Sequence, residues 1–263
     1  MFTIYHFIWL VVCSAIIVPA IVILNRKKPS IKKVLTAACA VCVCSEVVKT
    51  FGVIRMVYSS DGSMAFPYLE LQHLPLHLCS LQIAFIFYAR FAKAGKVKNV
   101  LLAFMYPTCV IGATCALLIP SILSTTIKPY QAFTHPMGYQ FFLYHAMLII
   151  VGAYIPLSKQ VDIRPKNYFS TIGILSLLAF SSLYFNSIFA APTYENGKLT
   201  AVEHTPNFFF TELNPLGIKL TELWQWYIYL ICIVCVAMIS IGLLYLPILI
   251  AKRKDIPNRI DNR

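Results

Sequence analysis

The side chains best suited to chemistry are ionisable or nucleophilic groups inside otherwise apolar stretches of the sequence. They recur at helical spacing and form two groups: Glu46 and Lys49, then Glu70, His73, His77, Cys79 and Ser80. Residues three or four apart share one face of a helix, so most of the second group would form one stripe. A charged group at mid-membrane costs on the order of 2.5–3.5 kcal/mol, so it is a functional candidate, although interhelical hydrogen bonding offers a purely structural role.

The first chemistry that these residue types permit is acyl transfer by a thiol. An imidazole beside a cysteine raises the thiolate fraction that burial would otherwise suppress. Cys79 follows His77 by two residues, and His145 lies in a later apolar stretch. This set could therefore supply a nucleophile and its base.

Other chemistries fit the same side chains and remain open. His73 and His77 could chelate a metal, with Glu70 or His145 as a third ligand, and this would give a metal-dependent lipid hydrolase. Glu46, Lys49 and the histidines could instead relay protons in a transporter. A structural membrane protein without catalytic activity is the remaining alternative.

Membrane-spanning helices must position these groups. Of 263 residues, 59% are apolar and 12% charged, with a mean hydropathy of +0.74, which is too apolar for a soluble globule. Seven stretches approach the roughly 20 residues that cross about 30 Å of hydrocarbon. They are 4–24, 34–57, 73–92, 99–120, 139–157, 168–190 and 225–250. The sequence predicts an all-α polytopic protein, a single seven-helix transmembrane domain over 1–263.

The basic residues predict the orientation, because Lys and Arg beside spans are retained in the cytoplasm. Most of the 22 Lys and Arg lie at 26–33, 90–98, 159–166 and in the basic tail 251–263, all on one predicted side. We therefore expect an outer N-terminus and a cytoplasmic C-terminus. This bias and anionic lipid explain the net charge of +12, so we expect no nucleic-acid partner.

The predicted orientation assigns a depth to each residue. Because a helix advances about 1.5 Å per residue, His77, Cys79 and His145 fall roughly 6–10 Å below the outer boundary. Asn186 and Tyr229 fall in the same slab. A site at this depth would meet lipid acyl chains near their ester bonds.

The outer segment 191–224 is long and partly apolar. Its NFFF and LGIKLTELW runs favour a lid-like loop or a helix lying in the headgroup plane. A connector packed on the bundle is the alternative.

The stretch 74–79 reads LPLHLC and resembles the signature of the YwaF-like bacterial integral membrane proteins. Glu46, His145 in QFFLYHAMLII, and the outer pattern NFFF (207–210), NPL (214–216) and WY (226–227) support the resemblance. The bacterial family is similar to the eukaryotic transmembrane protein 164 family, whose members place polyunsaturated acyl chains on ether phospholipids. It is more distantly similar to membrane hydrolases that pair a Thr nucleophile with a His.

The resemblance implies roles for two histidines, His77 and His145. In the acyltransferase family, a nucleophilic Cys directly precedes the first of these. This sequence has Leu76 there, so Cys79 is the candidate nucleophile and Ser80 a second one.

We therefore expect a phospholipid acyltransferase in a cell membrane, and the bacterial resemblance implies the bacterial cytoplasmic membrane. Membrane phospholipids are the expected partners, with no metal and no cofactor. The candidate catalytic residues are Cys79, His77 and His145, and the candidate substrate-binding residues are Glu46, Lys49, Arg55 (for phosphate), His73, Asn186 and Tyr229.

Overall fold

The structure is a computed structural model that describes residues 2–59, 61–195, 197–202, 206–215 and 217–255. Leu216 of the predicted NPL pattern and residues 256–263 of the basic tail lie outside the described residues.

The described chain is mostly helical, as predicted. Long apolar runs favour helices because lipid offers no partner to backbone polar groups, which must bond within the segment. The helices are α1 (Ile4–Lys27), α2 (Ile31–Val53), α3 (Leu78–Phe91), α4 (Lys96–Leu118), α5 (Ile122–Thr125), α6 (Pro136–Leu157), α7 (Asn167–Ile188) and α8 (Leu223–Asp255). Two antiparallel hairpins complete the fold: β1 (Arg55–Tyr58) with β2 (Ala65–Tyr68), and β3 (Pro192–Glu195) with β4 (Lys198–Val202).

Among the described residues, six helices are long and apolar enough to cross a membrane: α1, α2, α4 with its extension through α5, α6, α7 and α8. They match six of the seven predicted spans to within a few residues. One boundary differs in a way that affects the site. Helix α2 ends at Val53, so Arg55 begins a strand and does not lie inside the second span.

The predicted third span, 73–92, is shorter than expected. Only the 14 residues of α3 are helical, a length of about 21 Å at 1.5 Å per residue. Pro75 explains the shortening, since a proline disfavours helical backbone at the preceding residue. The chain forms a 3-10 turn over Leu71–His73 and starts α3 at Leu78. The expected helical stripe from Glu70 to Ser80 is therefore wrong, and the seven-span topology and its orientation stay predictions.

Helices α4 and α6 form the centre of the bundle, and about half of each is buried. Gly152 of α6 permits their close approach. A Cβ at this position would lie 2.9 Å from Cys109 Cβ and 3.0 Å from the Tyr106 carbonyl oxygen of α4. Small residues at helix crossings are typical of membrane proteins. By contrast, α1, α7 and α8 bury only 11% of their most apolar window, as expected for helices whose outer faces contact lipid.

The described residues of segment 191–224 contain no α-helix before α8. They form the β3–β4 hairpin and a 3-10 turn over Phe208–Phe210. The expected interfacial helix over NFFF and LGIKLTELW is therefore wrong among the described residues. Non-glycine residues with positive φ interrupt the NFFF run, including Asn207 (50°) and Phe209 (59°).

Candidate functional site

A polar cluster lies at the end of α2 that leads into the first hairpin. Lys49 Nζ donates to Glu46 at 2.8 Å, which confirms the predicted pair at i and i+3. The Lys49 side chain is 13% exposed, and its charge lies within range of His73 and His77. The cluster therefore combines one neutralised ion pair with two imidazoles.

Arg55 extends this cluster towards the surface. Its Nη1 lies 3.2 Å from Glu70 Oε1, and its side chain is 67% exposed. Gln72 donates to the other oxygen of Glu70. Arg55, the expected phosphate contact, is therefore paired with a carboxylate yet remains open to solvent or headgroups.

His77 is the N-cap residue of α3 and does not lie within the helix. Its ring lies edge-on to Phe208, with centroids 5.0 Å apart, and near Phe210 at 6.3 Å. An aromatic segment distant in sequence therefore fixes the His77 ring.

His145 is buried in α6 and has a defined tautomer. Its Nδ1 donates to the Phe141 carbonyl oxygen at 2.7 Å, and because a carbonyl only accepts, the proton sits on Nδ1. Among the described residues no group pairs with Nε2. An anchored Nδ1–H and an unpaired Nε2 are the arrangement that a general base requires.

Cys79 lies in the first turn of α3 and packs against the core. Its thiol faces α4, where Cys109 and Cys115 are neighbours and Gly112 leaves room for the sulfur. The Tyr144 hydroxyl donates to the Cys79 carbonyl at 2.7 Å. The described contacts do not join the Cys79 thiol to His77 or His145, although Tyr144 places the backbone of Cys79 beside the His145 turn.

Asn186 and Tyr229 were expected to bind substrate, and the structure places both against residues 207–211, which we call the Phe208 loop. Asn186 is fully buried and accepts from Phe208 N at 2.8 Å while donating to the Phe208 carbonyl at 3.2 Å. Tyr229 donates to the Phe210 carbonyl at 2.6 Å. Both residues therefore hold the loop that packs on His77.

A groove of ≈ 460 Å³ opens between α2 and α6. Val41, Val48 and Leu143 give it apolar walls, and Gln140 donates to Ser45 at 2.8 Å along its lining. Tyr144 lines the groove as well. An apolar cleft between two candidate membrane spans, with a few polar groups, is suited to a lipid chain.

The sequence profile of the TMEM164 family matches residues 1–245. The chain belongs to the TMEM164 family. The predicted similarity to transmembrane protein 164 is thereby confirmed, whereas the YwaF-like likeness and its LPLHLC signature stay predictions. No curated protein and no solved structure matches the chain.

Sequence reasoning missed several buried polar residues of this TMEM164-family chain, among them Gln82 and His6. Gln82 of α3 is fully buried, donates to Thr108 at 3.0 Å and accepts from the Cys109 thiol at 3.3 Å. Gln82 lies three residues after Cys79, a spacing that places both on one helix face. Glutamine is neither ionisable nor nucleophilic, so a search of the sequence for such groups passes over it. His6 of α1 bonds the Leu117 carbonyl at 2.8 Å, a contact between segments distant in sequence that no local pattern indicates.

The described part of the structure gives no support to the alternative of a metal-dependent lipid hydrolase. Within the described ranges, His, Cys, Asp and Glu form no cluster of three that could hold an ion. His73 ends the 3-10 turn and His77 caps α3, so they do not present the i, i+4 pair of a single helix.

Proposed function

We propose that this TMEM164-family protein transfers phospholipid acyl groups within the membrane, with Cys79 as the nucleophile and His145 as the general base. The observation that carries the proposal is the 2.7 Å hydrogen bond from the Tyr144 hydroxyl to the Cys79 carbonyl. It brings the first turn of α3 beside the turn of α6 that carries His145. Nε2 of His145, which has no partner in the described part of the chain, then provides the base that a buried thiol needs.

The polar cluster near the end of α2 is suited to bind the headgroup of the phospholipid. Lys49 pairs with Glu46 and lies within electrostatic range of His73 and His77, and Arg55 extends towards the surface. Cationic and imidazole donors suit a phosphate group. The groove between α2 and α6 would take the acyl chain, since Tyr144 lines it and also contacts the Cys79 backbone.

The proposed reaction has two balanced steps. Nε2 of His145 takes the proton of the Cys79 thiol, the thiolate attacks the ester carbonyl, and the ester C–O bond breaks. The imidazolium returns that proton to the leaving lysophospholipid oxygen. The hydroxyl of an acceptor lysolipid then attacks the thioester, and its proton passes through the same nitrogen to restore the thiol. Because Sγ now faces α4, the first step requires a change of the Cys79 χ1 rotamer.

The test uses the full chain in nanodiscs that contain a phospholipid with a labelled acyl chain and an unlabelled lysophospholipid. Mass spectrometry measures labelled product and any acyl adduct on Cys79. Since a general base contributes about 10²–10⁴-fold, His145→Ala should reduce transfer at least about 100-fold. Cys79→Ala should abolish both product and adduct.

Cys232→Ala is the matched control, because Cys232 is exposed on α8. It should keep full activity, and circular dichroism should show that all variants retain their helix content. Acyl transfer by Cys79→Ala at the rate of the parent chain would exclude this nucleophile. Absence of acyl transfer by the parent chain itself would overturn the proposed function.

A further inference from the structure

The β1–β2 hairpin lies outside the packed core. Every residue of both strands is exposed. The carboxylate of Asp61 holds the turn by accepting from the Ser63 backbone N–H at 3.1 Å and from the Ser59 hydroxyl. These hydrogen bonds hold the pKa of Asp61 at about 2, well below its usual range. A two-stranded ribbon is only marginally stable in water by itself, so an additional surface must support this one.

The two faces of the hairpin differ in chemistry. Side chains alternate along a strand, and the register pairs Met56 with Pro67 and Tyr58 with Ala65. These four residues form what we call the Met56 face, which has no charged side chain. Met56 is 57% exposed and Tyr58 68% exposed.

The opposite face is directed towards the protein. It carries Arg55, which pairs with Glu70 and lies within electrostatic range of His73. Tyr68 lies opposite Arg55 in the register and is 43% exposed. Since this face meets the polar cluster, the Met56 face points away from the bundle.

The position of the hairpin along the membrane normal follows from chain connectivity. Helix α2 is a candidate span that ends at Val53, and β1 begins at Arg55. At a maximum of about 3.6 Å per residue, β1 starts within about 7 Å of the helix end. The start of the hairpin therefore lies near headgroup level, on whichever side of the bilayer α2 ends.

We propose that the Met56 face docks onto the bilayer at the boundary between headgroups and acyl chains. An aromatic ring with a polar tip and a flexible thioether suit this layer. Docking would stabilise the ribbon and would hold the Arg55 guanidinium, on its other face, at the level of lipid phosphates. This inference does not depend on acyl chemistry or on the proposed orientation.

The experiment compares two tyrosines on opposite faces of the same hairpin. Tyr58→Trp and Tyr68→Trp each add one tryptophan to the three native ones. The full-length variants are placed in nanodiscs whose phospholipids carry bromine near the start of the acyl chain, a contact quencher of indole fluorescence. Subtraction of the parent emission isolates the added residue.

The added emission of Tyr58→Trp should be blue-shifted and quenched at least roughly twofold more than that of Tyr68→Trp, as for a residue in the interfacial layer. Equal quenching at the two positions would refute docking by the Met56 face. Quenching at position 58 that disappears when each nanodisc holds two copies instead of one would identify a second copy as the occupant and would likewise overturn the proposal.

Discussion

Replacing Asn186 by leucine should release the Phe208 loop from α7. The substitution keeps the branching and the number of heavy atoms of the side chain but removes every hydrogen bond of the amide. Phe208 N, which donates to Asn186 Oδ1 at 2.8 Å, would lose its partner in a buried place. The Phe208 carbonyl would keep the Thr211 hydroxyl at 3.2 Å. One buried N–H group is thus left unsatisfied.

An unsatisfied buried donor costs about 1–3 kcal/mol, which corresponds to about 5- to 150-fold in a local opening equilibrium. The loop also includes Asn207 and Phe210 with φ of 50° and 54°, and such left-handed backbone persists only where surrounding contacts enforce it. Loss of the Asn186 contacts should therefore allow the Phe208 loop to leave this left-handed backbone conformation. Because His77 packs edge-on to Phe208, its ring should become accessible at the same time.

Amide hydrogen exchange of a peptide covering the Phe208 loop measures the opening, and carbethoxylation measures the accessibility of His77. Ser187→Ala is the matched control, because Ser187 is the next residue of α7, is exposed, and its hydroxyl donates to the Leu183 carbonyl of its own helix. If Asn186→Leu exchanges no faster than Ser187→Ala, then the Asn186 hydrogen bonds do not hold the loop.

Two further predictions concern packing and charge. Gly152→Ala should lower the free energy of unfolding by about 1–3 kcal/mol through overpacking, since the new Cβ would lie 2.9 Å from Cys109 Cβ. Gly173→Ala should not lower the free energy of unfolding, because a Cβ at this position meets nothing within 4 Å. Titrations with sodium dodecyl sulfate measure the free energy of unfolding of both variants. In the same assay, Lys49→Met should destabilise more than the double variant Glu46→Gln/Lys49→Met, because the single change leaves a carboxylate unpaired. Equal unfolding midpoints for the two glycine variants, or for the single and double variants, would contradict the respective argument.

Features that depend on neighbouring residues in the sequence were predictable. Six candidate spans follow from runs of apolar residues, because length and hydropathy alone decide whether a helix can cross a bilayer. The Glu46–Lys49 pair follows from a spacing of three on one helix. The helix of the predicted third span is shorter than expected, because a hydropathy window does not register the backbone restriction that Pro75 imposes.

The candidate site was predictable only in its residue types. Asn186 and Tyr229 were expected to face substrate, yet their partners are Phe208 and Phe210, which lie 22 and 19 residues away along the chain. The two hairpins were missed because their strands are only four or five residues long. A short strand is defined by its partner and leaves little trace in the sequence.

The sequence by itself determined that this chain is a membrane protein, which segments are apolar enough to span, and which ionisable groups they carry. These properties depend on the length and hydropathy of continuous stretches of sequence, so they can be read without knowing how the helices pack. Only the tertiary structure decided that the His77 ring meets the Phe208 loop, that Nδ1 of His145 bonds the Phe141 carbonyl, and that the Cys79 thiol faces α4. Each depends on how separate helices rotate about their axes and on which segments pack together, and contacts distant in sequence fix both.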